Sequence, residues 1–164
     1  MSKIIALLLV LSAHVAWAQQ VENREFNELL KNELRHDVPE IDVAALSSMQ
    51  DYVLIDARSM EEYQVSHLEG ARQIDFIHFD LNKLKDVPKD RTIVVYCSVG
   101  SRSEKVAKVL IDNGYTKTLN LYGGIFEWSN QGKPMVNESG EPTQAIHGVS
   151  KEWAKWISQG KVIL

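Results

Sequence analysis

Cys97 is the one cysteine in the 164-residue chain, and it falls where an apolar run, TIVVYC, meets a loop of small residues, SVGSRS. That loop opens directly into an amphipathic pattern, EKVAKVLIDNG. Backbone N–H groups closing on a helix N-terminus make an anion site, so such a loop holds an ionised sulfur better than a neutral one. Gly100 lets the backbone curl, and Ser98, Ser101 and Ser103 add hydroxyl donors without bulk. Val99 completes the loop, and Arg102 brings a permanent positive charge. The first acid, Glu104, follows Ser101 at the spacing of a Ser-x-x-Glu capping box. These residue types point to a nucleophilic Cys97 inside an anion-holding loop. Arg102 is expected to bind the substrate anion rather than pair with a framework carboxylate such as Asp56.

The chain is long enough for one domain with a real core, and its 45% apolar and 24% charged content is that of a globular protein. Lys3, the apolar stretch IIALLLVL and the small-x-small site Ala16-Trp17-Ala18 read as a cleaved export signal over residues 1–18. The apolar stretch is shorter than the ~20 residues a spanning helix needs. Removing it takes away one lysine and no acid, leaving 17 basic against 22 acidic residues, a formal charge of −5 in place of −4. That balance argues against nucleic acid or an anionic membrane as the partner. A single cysteine excludes an intramolecular disulfide, and an unpaired thiol in an oxidising compartment hints at use. Histidines at 36, 67, 78 and 147 are too scattered for a metal site, and no Cys-x-x-Cys pair exists, so no metal or redox cofactor is expected. Asn137-Glu138-Ser139 fits a glycosylation sequon.

The elements that must position the loop follow from periodicity. Phe26, Leu29, Leu30 and Leu34 predict an amphipathic helix over 22–35, within an N-terminal helical segment at 19–37. Asp42 is placed to cap a brief helix, and residues 52–55 make a strand ending in Asp56. Ser59 and Glu62 repeat the capping-box spacing at the head of MEEYQV. RQIDFIHF reads as extended, residues 92–96 and 117–121 as strands, and Asn113-Gly114 as a helix stop. Gly123-Gly124 turns the chain into a short helix from Ile125 to Ser129, with no Gly-Lys-Ser/Thr following to suggest phosphate binding. Strands alternating with helices mean a mostly parallel sheet covered on both faces, with Asp56, Arg58 and Cys97 gathered at its carboxyl edge. VNESGEPTQ reads as a loop or linker, and Ser150 as the cap of a last helix, KEWAKWISQ. Trp153, Trp156 and Ile157 share one face of it, which should clamp the helix to the domain rather than form an aromatic ligand box.

The stretches YVLIDARSMEEYQVSHLEGA, CSVGSRS and LYGGIFEWSNQGKPM, in this order and spacing, resemble a single-domain rhodanese, a sulfurtransferase-type domain. The resemblance covers most of residues 38–135 and places the domain at 38–136, with a C-terminal extension at 137–164. It implies an α/β fold with a five-stranded parallel sheet flanked by helices, and flanking helices at both ends. It implies that Cys97 carries sulfur as a persulfide, that Ser98 to Arg102 form its cradle, and that Asp56, Arg58, His67 and Gly70 support the site. The expected activity moves sulfane sulfur from a small anionic donor, thiosulfate or a persulfide, to a thiol or cyanide. CSVGSR lacks the Cys-Gly-Ser/Thr-Gly-Val-Thr pattern of mercaptopyruvate enzymes. Cysteine phosphatases and arsenate reductases have one residue more between cysteine and arginine; with four here, the ring of amides is tight for a tetrahedral oxyanion. The alternative is a binding or regulatory module that uses the fold without turnover.

Overall fold

The computed structural model describes residues 21–164; the expected leader lies outside the described residues. The chain enters through α1 (Arg24–Glu33), whose N-cap Asn23 accepts the Phe26 N–H and whose buried residues are Phe26 and Leu30. Then follow β1 (Glu40–Ile41), α2 (Val43–Ser48), β2 (Val53–Asp56), α3 (Met60–Val65) and β3 (Arg72–Gln73). A 3₁₀ turn at Leu81–Leu84 leads to β4 (Ile93–Tyr96), α4 (Ser101–Asp112), β5 (Thr118–Leu121) and α5 (Gly124–Asn130). Asp42 caps α2 as its sequence position predicts, and Ser59 with Glu62 forms a complete capping box on α3.

The sheet order is β1-β5-β4-β2-β3, and every pairing in it is parallel. β4 is central and buried at all four positions, which is why it reads as an unbroken apolar run. Side chains alternate across a strand, so Val94 and Tyr96 enter the core that also holds Phe26 and Leu30. Ile93, Val95 and Cys97 enter the opposite one, beneath Val106 and Leu110 of α4. Cys97 is thus delivered by the most constrained strand of the fold.

Three segments differ from expectation. RQIDFIHF is a strand only at Arg72–Gln73; the Asp75 carboxylate then accepts the Ile77 and His78 N–H groups and turns the chain. VNESGEPTQ is not a linker but a hairpin of β6 (Met135–Val136) and β7 (Pro142–Thr143), closed by Asn137 Oδ1 accepting from Ser139 and Glu141 N–H. β8 (Ala145–His147) and β9 (Lys161–Ile163) form a parallel pair around α6 (Lys151–Ala154). α6 stops early because Asn130 bonds both the Trp156 carbonyl (2.9 Å) and the Ser158 N–H (2.7 Å), drawing the chain toward α5. The expected clamp does form, with Trp156 stacked on Phe26 at 5.5 Å.

Beneath the carboxyl edge lies a fully buried ion pair. Arg58 donates to Asp56 through Nε (2.9 Å) and Nη2 (2.6 Å), and Nη2 also reaches the Ser66 carbonyl (2.6 Å). Burial works against the Arg58 charge, but Asp56 outweighs it and holds the guanidinium more firmly protonated than usual. Arg58→Met would leave a buried carboxylate without its partner and should cost about 3–5 kcal/mol in urea denaturation. The double variant Asp56→Leu/Arg58→Met should lose less than that single one.

Candidate active site

The Cys97 loop is shaped by where its carbonyls go. The Cys97 carbonyl accepts the Ile125 N–H (2.9 Å), and the Ser98 carbonyl accepts the Phe126 N–H (3.0 Å), both at the start of α5. A trans peptide points its N–H opposite its C=O. The N–H groups of Ser98 and Val99 therefore turn away from α5, while the Gly100 N–H lies 3.2 Å from Cys97 Sγ. Gly100 reaches this position at φ +119 and serves as the N-cap of α4 with no side-chain cap. Gly124, at φ +57, allows the close approach of α5: a Cβ there would overlap the Cys97 carbonyl oxygen and lie 2.6 Å from that of Ser98.

Glu62 is the hub that sequence reasoning assigned only to a helix cap. One of its oxygens accepts the Ser59 N–H (3.1 Å), which completes the capping box. The same carboxylate takes both ends of the Arg102 guanidinium, at 2.7 Å each, and the Ser98 hydroxyl at 3.0 Å. Arg102 also donates to Ser98 Oγ at 2.8 Å. Burial alone would push the Glu62 carboxyl up, but Arg102, the Ser59 N–H and Arg58 together hold it at about 2. Arg102 therefore does pair with a framework carboxylate, although that carboxylate is Glu62, since Asp56 belongs to Arg58. Its exposed part still lines the cavity above Cys97.

Of the three loop serines, Ser101 and Ser98 face the cavity. Ser103 does not: it is buried, and its hydroxyl donates to Asn120 Oδ1 (2.7 Å), whose Nδ2 donates in turn to the Gly100 carbonyl (3.1 Å), bracing the loop from behind. The capping box expected from Ser101 and Glu104 is absent. Glu104 instead accepts the Arg35 and His36 N–H groups (2.9 and 2.6 Å), tying the segment after α1 to α4. His67 is held in the framework, with its ring stacked on Tyr63 at 3.7 Å, Nδ1 on the Tyr63 carbonyl, and backbone bonds to Val136. Gly70 turns the chain at φ +78. Asp56, Arg58 and His67 thus lie around α3, which carries Glu62, rather than in the cavity.

The cavity holds about 210 Å³. Its floor is Cys97 and the loop as far as Arg102, and its outer wall is Val149 and Trp153. Those two belong to the C-terminal extension and were not expected in the site. The only available signals were the apolar face of α6 and, for Glu62 and Gly124, a cap spacing and a Gly-Gly pair.

A parallel α/β sheet with a thiol cradled at its carboxyl edge defines the class, and comparison with known proteins gives the family. Residues 41–131 match the Rhodanese-like domain family, and the chain belongs to it. It is 36% identical over 107 residues to a protein named Sulfurtransferase from Allochromatium vinosum, a match spanning 63% of this chain and 99% of that one. A tRNA uridine(34) hydroxylase from Cronobacter sakazakii is 34% identical over 110 residues, spanning 64% of this chain and only 30% of that longer protein. Among solved structures, a rhodanese-related protein from Thermoplasma volcanium superposes with a TM-score of 0.55 at 26% identity, covering 61% of this chain and 99% of that one.

Two substitutions test the geometry. A depressed folded-state carboxyl contributes stability that is present above its unfolded value and lost as pH falls through the folded one. For Glu62 that window runs from pH 4.5 down to about 2, with on the order of 3 kcal/mol at stake. Glu62→Gln should be less stable at pH 7 and show a flatter acid limb across that window in denaturation curves. Gly124→Ala should lose at least ~2 kcal/mol, because it combines a left-handed backbone with a clash against main chain.

Proposed function

We propose that this protein is a sulfurtransferase that carries sulfane sulfur as a persulfide on Cys97, taking it from thiosulfate or a persulfide donor and passing it to a thiol or cyanide. The observation that carries this reading is the Gly100 N–H at 3.2 Å from Sγ, in a loop whose carbonyls are drawn to α5. In the first half-reaction the Cys97 thiolate attacks the outer sulfur of the donor. With thiosulfate, the donor S–S bond breaks and its electron pair leaves on sulfite. In the second, the acceptor attacks the outer sulfur of the persulfide and the thiolate is restored. Negative charge stays on sulfur throughout, so the cradle performs the stabilisation and no side chain need act as general base. The engagement of His67 with Tyr63 agrees with this. The relative named Sulfurtransferase, matched over 99% of its length, supports the same activity.

Arg102, braced by Glu62, adds a positive charge to the cavity rim and favours an anionic donor. We also propose export, on the basic, apolar and small-x-small pattern of residues 1–18.

Incubation with thiosulfate should add one sulfur atom to the intact protein, and cyanide should remove it. Cys97→Ser should abolish both the added mass and transfer while keeping the parent's thermal unfolding. A protein that gains no sulfur from thiosulfate or a hydropersulfide would be a non-catalytic module of this family.

A further inference from the structure

The family match ends at residue 131, yet the outer wall of the Cys97 cavity comes from beyond it, through Val149 and Trp153. This wall is held in place from several sides. The Gly148 N–H reaches the Ile163 carbonyl (2.8 Å), the Val149 N–H reaches His147 Nδ1 (3.0 Å), and Ser150 caps α6 through the Trp153 N–H (3.4 Å). Ser129 and Asn130 of α5 bind the Gln159 carbonyl, the Trp156 carbonyl and the Ser158 N–H. The α5 that orients the loop carbonyls therefore also anchors the wall.

Val149 adopts φ +66, a left-handed conformation that a β-branched residue strongly resists. It is also 41% exposed, so burial does not account for an apolar side chain there. A glycine would satisfy the turn without strain. What the valine adds is an apolar surface on the cavity, next to the Trp153 indole and with Val99 among the loop residues below. The lining is thus polar along the loop, through Ser98, Ser101 and Arg102, and apolar on the outer wall, which faces the leaving group of a donor whose outer sulfur meets Cys97. On that wall thiosulfate would set a strongly hydrated sulfite against valine and tryptophan, neither of which replaces the water it displaces. An organic substituent would instead gain contact with both side chains.

We propose that Val149 and Trp153 make this site selective for sulfane-sulfur donors whose leaving group carries a small apolar or aromatic substituent. This rests on the persulfide reading of Cys97. For an organic thiosulfonate, R–SO₂–S⁻, the thiolate attacks the outer sulfur and a Cys97–S bond forms. The donor S–S bond breaks, and its electron pair leaves on the sulfinate, R–SO₂⁻. Two anions enter and two leave; no proton and no external oxidant or reductant is needed.

The test compares kcat/KM for thiosulfate, methanethiosulfonate and benzenethiosulfonate with cyanide as acceptor, in the parent, Trp153→Ala, Trp153→Phe and Val149→Gly. Dividing each variant's benzenethiosulfonate-to-thiosulfate ratio by the parent's cancels the donors' intrinsic reactivities. That ratio should fall ~10-fold or more in Trp153→Ala and several-fold in Val149→Gly, with methanethiosulfonate intermediate and Trp153→Phe close to the parent. Val149→Gly should melt no lower than the parent, because it relieves the left-handed valine, so its altered ratio is not a folding defect. It also decides the matter if Trp153→Ala does not fold. Ratios within twofold of the parent in both Trp153→Ala and Val149→Gly, with all donors still turned over, would overturn the selectivity alone. Failure of every donor to load sulfur on parent Cys97 would overturn the persulfide reading and this inference together.

Discussion

Planarity of the peptide bond, applied to two consecutive carbonyls, is the constraint on which this structure turns. Once the Cys97 and Ser98 carbonyls are taken by the first amides of α5, the N–H groups that follow them face the other way. The cradle is therefore made by something outside itself. This gives α5 a role that its seven residues do not advertise. It also makes Gly124 a requirement of packing as well as of dihedral angle, because the space a Cβ would fill is occupied by the carbonyls being held. A strand buried on both faces fixes where Cys97 emerges, and α5 fixes which way the chain turns as it leaves.

Charge in the site is arranged in two tiers. The lower is the Asp56–Arg58 pair, wholly buried, which joins the end of β2 to the Ser66 carbonyl after α3. Such a pair gains little net stability over apolar packing, but it is costly to break and so enforces one arrangement. The upper tier is Glu62 with Arg102 and Ser98, set by the helix that the lower tier seats. Because Glu62 is shared between its own helix cap and the loop, the start of α3 and the start of α4 cannot move independently. Arg102 reaches the cavity with its guanidinium already oriented, so little rotamer freedom remains to be lost on meeting an anion.

Sequence patterns reached most of this because they were local. Asn113-Gly114 closing α4, Asp42 capping α2 and the Ser59–Glu62 box each depend on residues within a few positions of one another. The apolar run of β4 likewise carried its own evidence of burial on both sides. What was not legible depended on pairs far apart in the chain. Glu62 and Arg102 are 40 residues apart, and Glu104 meets Arg35 across 69. In the second case a local rule predicted a capping box and lost: Gly100 took the cap position, and the carboxylate had two unsatisfied amides to meet after α1. The extension after residue 136 was least legible, since strands of two or three residues have too little periodicity to register.

That extension also shows how a family fold acquires individuality. The cradle is set by backbone geometry and tolerates little change, whereas the surface facing it comes from beyond the family match. Here that surface is a tail of short strands and a one-turn helix, too small to hold a shape alone, bound to α5 and stacked through Trp156 on Phe26 of α1. The two tryptophans divide the work: Trp156, just past the end of α6, fastens the tail to the core, and Trp153, within α6, lines the Cys97 cavity. Because α1 and the segment that follows α6 meet through that stack, the segments on either side of the family domain stabilise each other. The N-terminal helix therefore bears on the shape of the cavity without touching it.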